Sequence, residues 1–302
     1  MTTLQQGRKL RRASSGNRVK LLFILPGAAV FGIVVLLPIA ENLFYSFTDW
    51  SGFGNVFEFI GLNNFVRLIQ DQETLNAFRN TIVFTVVNAP FQIGLGLLLA
   101  VTLRRNGRLE TVLRTVIVLP IAISGVVLGY LGTVIFDPNS GIVKALSEMP
   151  GLGFLAQNWL GNPTLAMVSV IAMNLWQWTG FTMLIFLAGL STIPSELYEA
   201  ATLDGASSWI RFRAITWPLL APAATINIVL TLIGGLKVFD IVYVLTQGGP
   251  GAATESIVMR VTSEGGFARF GYASAIDFVL TTIILAVSLI TLAILRRREI
   301  DA

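Results

Sequence analysis

Tyr198-Glu199-Ala200-Ala201-Thr202-Leu203-Asp204-Gly205-Ala206-Ser207-Ser208-Trp209-Ile210-Arg211-Phe212-Arg213-Ala214-Ile215-Thr216-Trp217-Pro218 is a polar, charged interruption with helical spacing. It stands between two apolar runs, 165–190 and 219–245. Each run exceeds the roughly 20 residues that cross a bilayer. The interruption therefore reads as a surface loop joining two membrane helices, and the rest of the chain is organised around it.

Of the 302 residues, 54% are hydrophobic and 13% charged, more apolar than a soluble core requires. Further apolar runs at 21–47, 81–103, 113–136 and 275–295 bring the expected spans to six. The fold class is all-α, a polytopic membrane protein with six transmembrane helices. The chain has no cysteine and no histidine, which excludes thiol nucleophiles, disulfides, Cys/His metal sites and histidine acid–base chemistry. No clustered nucleophile, carboxylate pair or metal set is visible, so an enzyme is disfavoured. The formal charge of +4 reflects basic residues concentrated in particular loops, which points to membrane orientation rather than to nucleic acid.

With six spans the 21 Lys and Arg residues divide into 15 on the side of both termini and of the 198–218 stretch and 5 on the other, with Lys237 inside the fifth span. The positive-inside rule makes the first side cytoplasmic. Expected domains are a basic cytoplasmic tail over 1–20, a membrane domain over 21–295 with its cytoplasmic loop at 195–218, and a short cytoplasmic tail over 296–302. A signal peptide competes for the N-terminus, but the first apolar run is longer than a signal h-region and lacks a small-residue cleavage site.

Within the loop, Pro194 ends the fourth span and Ser195 is placed to cap a helix over 196–203. Gly205 allows a left-handed stop, Ser207 or Ser208 caps a second short helix through Ala214, and Pro218 opens the fifth span. Ala200, Ala201 and Ala206 leave one face thin, and Trp209, Ile210 and Phe212 present apolar area. By themselves these residues fit either a docking element or an interfacial helix resting among lipid headgroups.

Glu199-Ala200-Ala201, three residues, Gly205, nine residues, Ile215, one residue, Trp217-Pro218 resembles the EAA loop of ABC importer permeases, with Trp217 in place of the usual leucine. Gly61-Leu62-Asn63-Asn64-Phe65, Asn80-Thr81, Phe136-Asp137-Pro138 with Gly141, and Phe239-Asp240 through Leu245-Thr246-Gln247-Gly248-Gly249-Pro250 extend the likeness to carbohydrate permeases of the maltose and glycerol-phosphate type. The resemblance implies a type I ABC importer architecture in a bacterial or archaeal cytoplasmic membrane. It implies that Glu199, Ala200, Ala201 and Gly205, with Asp204 and Arg211 adding polar contacts, dock into a cytoplasmic ATPase subunit. It further implies a second permease, two ATPase subunits and an extracytoplasmic solute-binding protein as partners, beside sugar and lipid. The chain has no G-x-x-x-x-G-K-[ST] motif, so it is expected to bind no cofactor itself, with ATP and Mg on the ATPase partners.

On the fourth span Asn174, Gln177 or Trp178, and Phe181 share a helical face, and on the fifth Thr231, Gly234, Gly235 and Val238 do. Amides that bond hydroxyls beside aromatic rings suit a sugar, and in the maltose-type family sugar contacts fall at this register. Helix packing is the alternative for both stripes. Lys237 and Asp240, three apart, are expected to form an intrahelical pair, with contact to the substrate as the alternative. The rival class is a self-contained ion-coupled secondary transporter or channel, which requires a deep ion-coupling residue or an inverted repeat. Neither is evident in the sequence.

Overall fold

The computed structural model describes residues 15–54, 56–105 and 107–296, with side chains described from Phe23 onward. Residues 1–14 of the tail expected over 1–20, the side chains of Arg18 and Lys20, and residues 297–302 of the tail expected over 296–302 lie outside the described residues. The described chain is helical, with one isolated bridge between Thr48 and Phe59. Four helical stretches are long and apolar enough to cross a membrane unbroken: Phe23–Tyr45, Gln72–Thr102, Pro163–Ser191 and Phe270–Arg296. Two more crossings are broken pairs, Arg108–Ala122 with Gly125–Ile135 bent by 103°, and Ser208–Leu219 with Ala221–Leu236 bent by 67°.

The first crossing consists of α1 (Ser15–Phe31), a π turn at Gly32–Leu36, and α2 (Leu37–Tyr45). A second π turn, Phe212–Thr216, likewise ends two residues ahead of a proline, Pro218. The same cause serves for both: a proline ring clashes with the carbonyl four residues back, and one widened turn moves that carbonyl aside. A short surface helix α3 (Asn63–Gln70) follows and leads into α4 (Gln72–Thr102). Asp71 caps α4, its carboxylate accepting from Glu73 N at 3.0 Å and from the Thr74 hydroxyl at 2.7 Å.

The third crossing is not the single helix expected over 113–136. α5 (Arg108–Val118) ends in a 3₁₀ turn containing Pro120, Ile123 is extended, and Ser124 caps α6 (Gly125–Ile135). Pro120 cannot donate to the helix ladder, and the 3₁₀ turn carries the chain out of helical geometry. After a short helix α7 (Ile142–Ser147), α8 (Pro163–Ser191) starts at Asn162, whose side chain accepts from Thr164 N and Leu165 N. Close approach fastens α8 to its neighbours. A Cβ on Gly180 would lie 2.3 Å from Ile117 O on α5, and one on Gly96 would lie 2.4 Å from the Thr182 methyl.

After α8, the loop itself is built of α9 (Ser195–Leu203), α10 (Ser208–Arg211) and α11 (Trp217–Leu219) and leads to α12 (Ala221–Leu236). The fifth crossing also departs from expectation. It stops at Leu236, leaves helical geometry at Phe239, and resumes as α13 (Asp240–Leu245). Consecutive glycines at 234 and 235 weaken the last turn of α12, which makes the break inexpensive there. Then α14 (Ile257–Gly266) and α15 (Phe270–Arg296) complete the chain.

Three apolar clusters pack the bundle. Phe84, Leu128, Val170, Met173 and Val242 join α4, α6, α8 and α13. Ala100, Met183, Phe186, Leu220 and Ala223 join α4, α8 and α12 near the loop. Leu68, Ala77, Ile257, Tyr272 and Ile276 join α3, α4, α14 and α15. The most apolar part of the first crossing, by contrast, has no buried residue.

At the end opposite the 198–218 loop, a charged cluster ties α14 to α3, α4 and α15. Glu264 is fully buried and meets Arg260 at 3.0 Å, Arg67 at 3.9 Å and Arg269 at 2.5 Å. Arg260 also reaches Asp71 at 3.4 Å and Glu73 at 2.6 Å. Partial burial pushes the Asp71 carboxyl up, but bonds from Thr74 and Tyr272 and the Arg260 charge outweigh it and leave it at about 2.

Candidate functional site

Two features stand out, a polar cavity inside the bundle and the loop at one end of it. The cavity, about 410 Å³, is enclosed by α4, α8, α12 and the breaks at 123–125 and 237–240. All eight residues singled out from the two stripes line it: Asn174, Gln177, Trp178 and Phe181 from α8, and Thr231, Gly234, Gly235 and Val238 from α12 and the segment after it. Trp178 and Phe181 meet edge to face, with ring centroids 6.2 Å apart. Gln177 donates at 2.8 Å to the Ile123 carbonyl, an acceptor freed by the break between α5 and α6. That bond explains how irregular backbone persists at this depth.

The two glycines have different tasks. A Cβ on Gly235 would lie 2.8 Å from Thr85 Oγ1, so this glycine admits helix α4, whereas a Cβ on Gly234 would meet nothing within 4 Å.

The sequence reading missed the α4 wall. Asn88 donates to Gln92 at 3.0 Å, and Gln92 donates to Thr182 at 3.0 Å and to Thr231 at 3.4 Å. Asn227 donates to the Thr182 carbonyl at 3.4 Å. All are buried, and Asn88 Oδ1 has no protein partner. The available signal was two amides, Asn88 and Gln92, one turn apart in an otherwise apolar span.

Lys237 and Asp240 form no ion pair among the described residues, contrary to the expected intrahelical contact. Helix α12 ends at Leu236, ahead of both, α13 starts at Asp240, and both residues line the cavity. No group of His, Cys, Asp and Glu suited to a metal ion occurs among the described residues.

The loop folds as two helical arms. α9 ends in a paired C-cap: Ala206 N donates to Ala201 O at 2.9 Å and Gly205 N to Thr202 O at 3.1 Å, with Gly205 at φ +74°. This closure requires a left-handed residue, which is why glycine stands there. Ser195 is the first residue of α9 rather than its cap, and Pro194 holds the cap position without a side-chain bond. Ser207 caps α10, its hydroxyl accepting from Ile210 N at 3.3 Å. The second arm does not stop at Ala214. It runs through the π turn into α11, and the corner falls at Leu220.

Glu199, Ala200, Asp204 and Gly205 are exposed and Ala201 is half-buried. Arg211 turns inward, donating to the hydroxyls of Thr202 and Ser208, so it braces one arm against the other. The Tyr198 hydroxyl lies 2.9 Å from that of Thr216, a second brace. The loop carries apolar side chains with no cover in the chain, among them Leu203 at 90% and Trp209 at 68% exposure.

Membrane crossings broken at mid-depth around a polar cavity, with a rigid helical loop leaving the bundle next to them, define a transport component. The family model "binding-protein-dependent transport system inner membrane component" matches residues 92–299. A probable ABC transporter permease of Pyrococcus horikoshii is 38% identical over 271 residues, 89% of this chain and 92% of that protein. The trehalose/maltose transport system permease MalF of Thermococcus litoralis is 33% identical over 291 residues, 96% and 97% of the two chains. In fold, a chain of a bacterial ABC transporter that imports the acidic polysaccharide alginate superposes with TM-score 0.80 at 24% identity, covering 93% of this chain and 96% of that one. The chain belongs to the family of inner-membrane components of binding-protein-dependent transport systems, the permeases of ABC importers.

Proposed function

We propose that this chain is the non-catalytic permease subunit of a sugar importer and that the cavity between α4, α8 and α12 is where the sugar crosses. The observation that carries this reading is the lining itself. Buried amides of Asn88, Gln92, Gln177 and Asn227 surround a space walled on one side by Trp178 and Phe181. Amides exchange hydrogen bonds with hydroxyls, and aromatic rings cover the apolar face of a pyranose. The trehalose/maltose function of the Thermococcus relative supports the same substrate class.

Glu199, Ala200, Ala201, Asp204 and Gly205 form the surface that docks in a cytoplasmic ATPase subunit, with Arg211 holding its shape. ATP and Mg are bound by that partner, two copies of which drive this chain and a second permease. An extracytoplasmic solute-binding protein delivers the sugar to the opposite end. Both termini lie in the cytoplasm, and the chain divides into tails at 1–20 and 296–302 around a membrane domain at 21–295. Alternating access follows when ATPase closure moves the loop, because α8 enters it and α12 leaves it, and both wall the cavity.

The test is sugar-stimulated ATP hydrolysis by the co-purified complex with its binding protein. Glu199→Lys and Gly205→Pro are each expected to abolish the stimulation while the chain still folds. Stimulation unchanged by both, or sugar flux driven by an ion gradient without any ATPase, overturns the proposal.

A further inference from the structure

A second cavity, about 370 Å³, lies at the loop end of the bundle and is lined by Arg104, Arg105, Arg114, Leu187, Leu190, Ser191 and Tyr198. It sits where α4 ends, α5 begins and α8 gives way to α9. Three guanidinium groups face one space, and none of them makes an ion pair among the described residues. Glu110, the nearest acidic residue along the chain, is instead turned back against Gly107 at the start of α5.

The arginines are not equivalent. Arg114 is held by the turn between α4 and α5, donating to the carbonyls of Leu103 at 2.8 Å and of Arg105. Arg104 lies over the Tyr198 ring, 5.3 Å from its centroid. Arg105 donates no side-chain hydrogen bond among the described residues, while its own carbonyl is pinned by Arg114. Positive-inside bias accounts for basic residues in this loop but not for their convergence on one walled space with no ion-pair partner among the described residues. Guanidinium groups match phosphate oxygens in charge and in fork geometry, whereas the Ser191 hydroxyl already donates to the Ala188 carbonyl at 2.7 Å. Across the cavity, Leu187 and Leu190 form an apolar wall.

We infer that this cavity binds a phosphate-bearing anion, held by Arg104, Arg105 and Arg114 against Tyr198 of α9. The group is either the headgroup of an anionic phospholipid, whose acyl stem the two leucines cover, or a soluble phosphate. Because Tyr198 belongs to α9 and also meets Thr216 on the second arm of the loop, an occupant touches the segment on which docking is proposed. The site requires no assumption about the cargo in the central cavity.

The experiment is equilibrium binding to the full chain in a neutral detergent, using dihexanoyl phosphatidylglycerol, dihexanoyl phosphatidylcholine and inorganic phosphate as probes. The anionic lipid is expected to bind more tightly than the zwitterionic one. Arg105→Gln, which removes no contact seen in the structure, is expected to weaken it about tenfold, the value of one charge-assisted bond. Arg213→Gln, on the 198–218 loop and not among the residues lining the cavity, is expected to leave binding unchanged. Binding of inorganic phosphate with the same Arg105 dependence assigns the site to soluble phosphates, and lipid binding alone assigns it to the membrane. Equal binding of both lipids with no binding of inorganic phosphate overturns the inference, as does an equal loss in Arg213→Gln or no loss in Arg105→Gln. Binding is read without transport or ATP hydrolysis, so failure here is distinct from failure of the sugar-importer reading.

Discussion

Asp71 concentrates several tasks in one side chain: it caps α4, accepts from Thr74 and Tyr272, and pairs with Arg260. Its carboxyl is held at about 2 against an ordinary 3.8, so the hydrogen bonds from Thr74 and Tyr272, with the Arg260 charge added, stabilise the fold by about 2 kcal/mol above pH 4. The sign follows from the depressed value. The contribution is complete above the unfolded pKa and is lost as pH falls through about 4 to 2. Thermal unfolding followed against pH is therefore expected to steepen over that window. Asp71→Asn keeps a good cap and is expected to remove the steepening along with about 2 kcal/mol at neutral pH. An unchanged acid limb in the variant sinks this account. Gln177 shows the same economy at mid-depth, where one amide closes the cavity wall and satisfies the Ile123 carbonyl.

Among the elements, α8 carries the most, since it packs on α4, α5 and α12 while its polar face lines the cavity. The contact with α5 depends on Gly180, where backbone meets backbone. Gly180→Ala places a methyl against Ile117 O and is expected to destabilise the chain by about 1–3 kcal/mol. Gly234→Ala, where a Cβ meets nothing within 4 Å, serves as the control and is expected to change stability by less than about 1 kcal/mol. Comparing the two melting temperatures checks both. If the variants melt together, the close approach is not what holds α8 to α5.

For the whole molecule, the central cavity and the loop lie on one continuous piece of chain. α8 runs from the cavity to α9, and the second arm returns through Leu220 to α12, so movement of the loop is transmitted through packed helices. If the cavity is the sugar path, filling it blocks uptake without unfolding the chain. Gly234→Trp is expected to reduce sugar uptake in reconstituted vesicles by more than tenfold while the melting temperature stays near that of the parent. Retained uptake places the path elsewhere.

Much of this was legible in the sequence because membrane helices obey short-range rules. Apolar length marked the crossings, glycine at 205 marked a left-handed stop, and residues three and four apart on 165–190 and 219–245 marked the faces that meet at the cavity. What the tertiary structure alone decided are the places where a helix departs from its period. The break at Ile123 is tolerated because Gln177, 54 positions away, supplies the missing donor. The break at Phe239 turns Lys237 and Asp240 from an intrahelical pair into two cavity residues. The convergence of Arg104, Arg105 and Arg114 on Tyr198 likewise depends on how α4, α5 and α8 end together. Periodicity is a property of one segment, whereas the partner that satisfies a freed carbonyl or leaves a charge uncompensated comes from another segment, brought near only by packing.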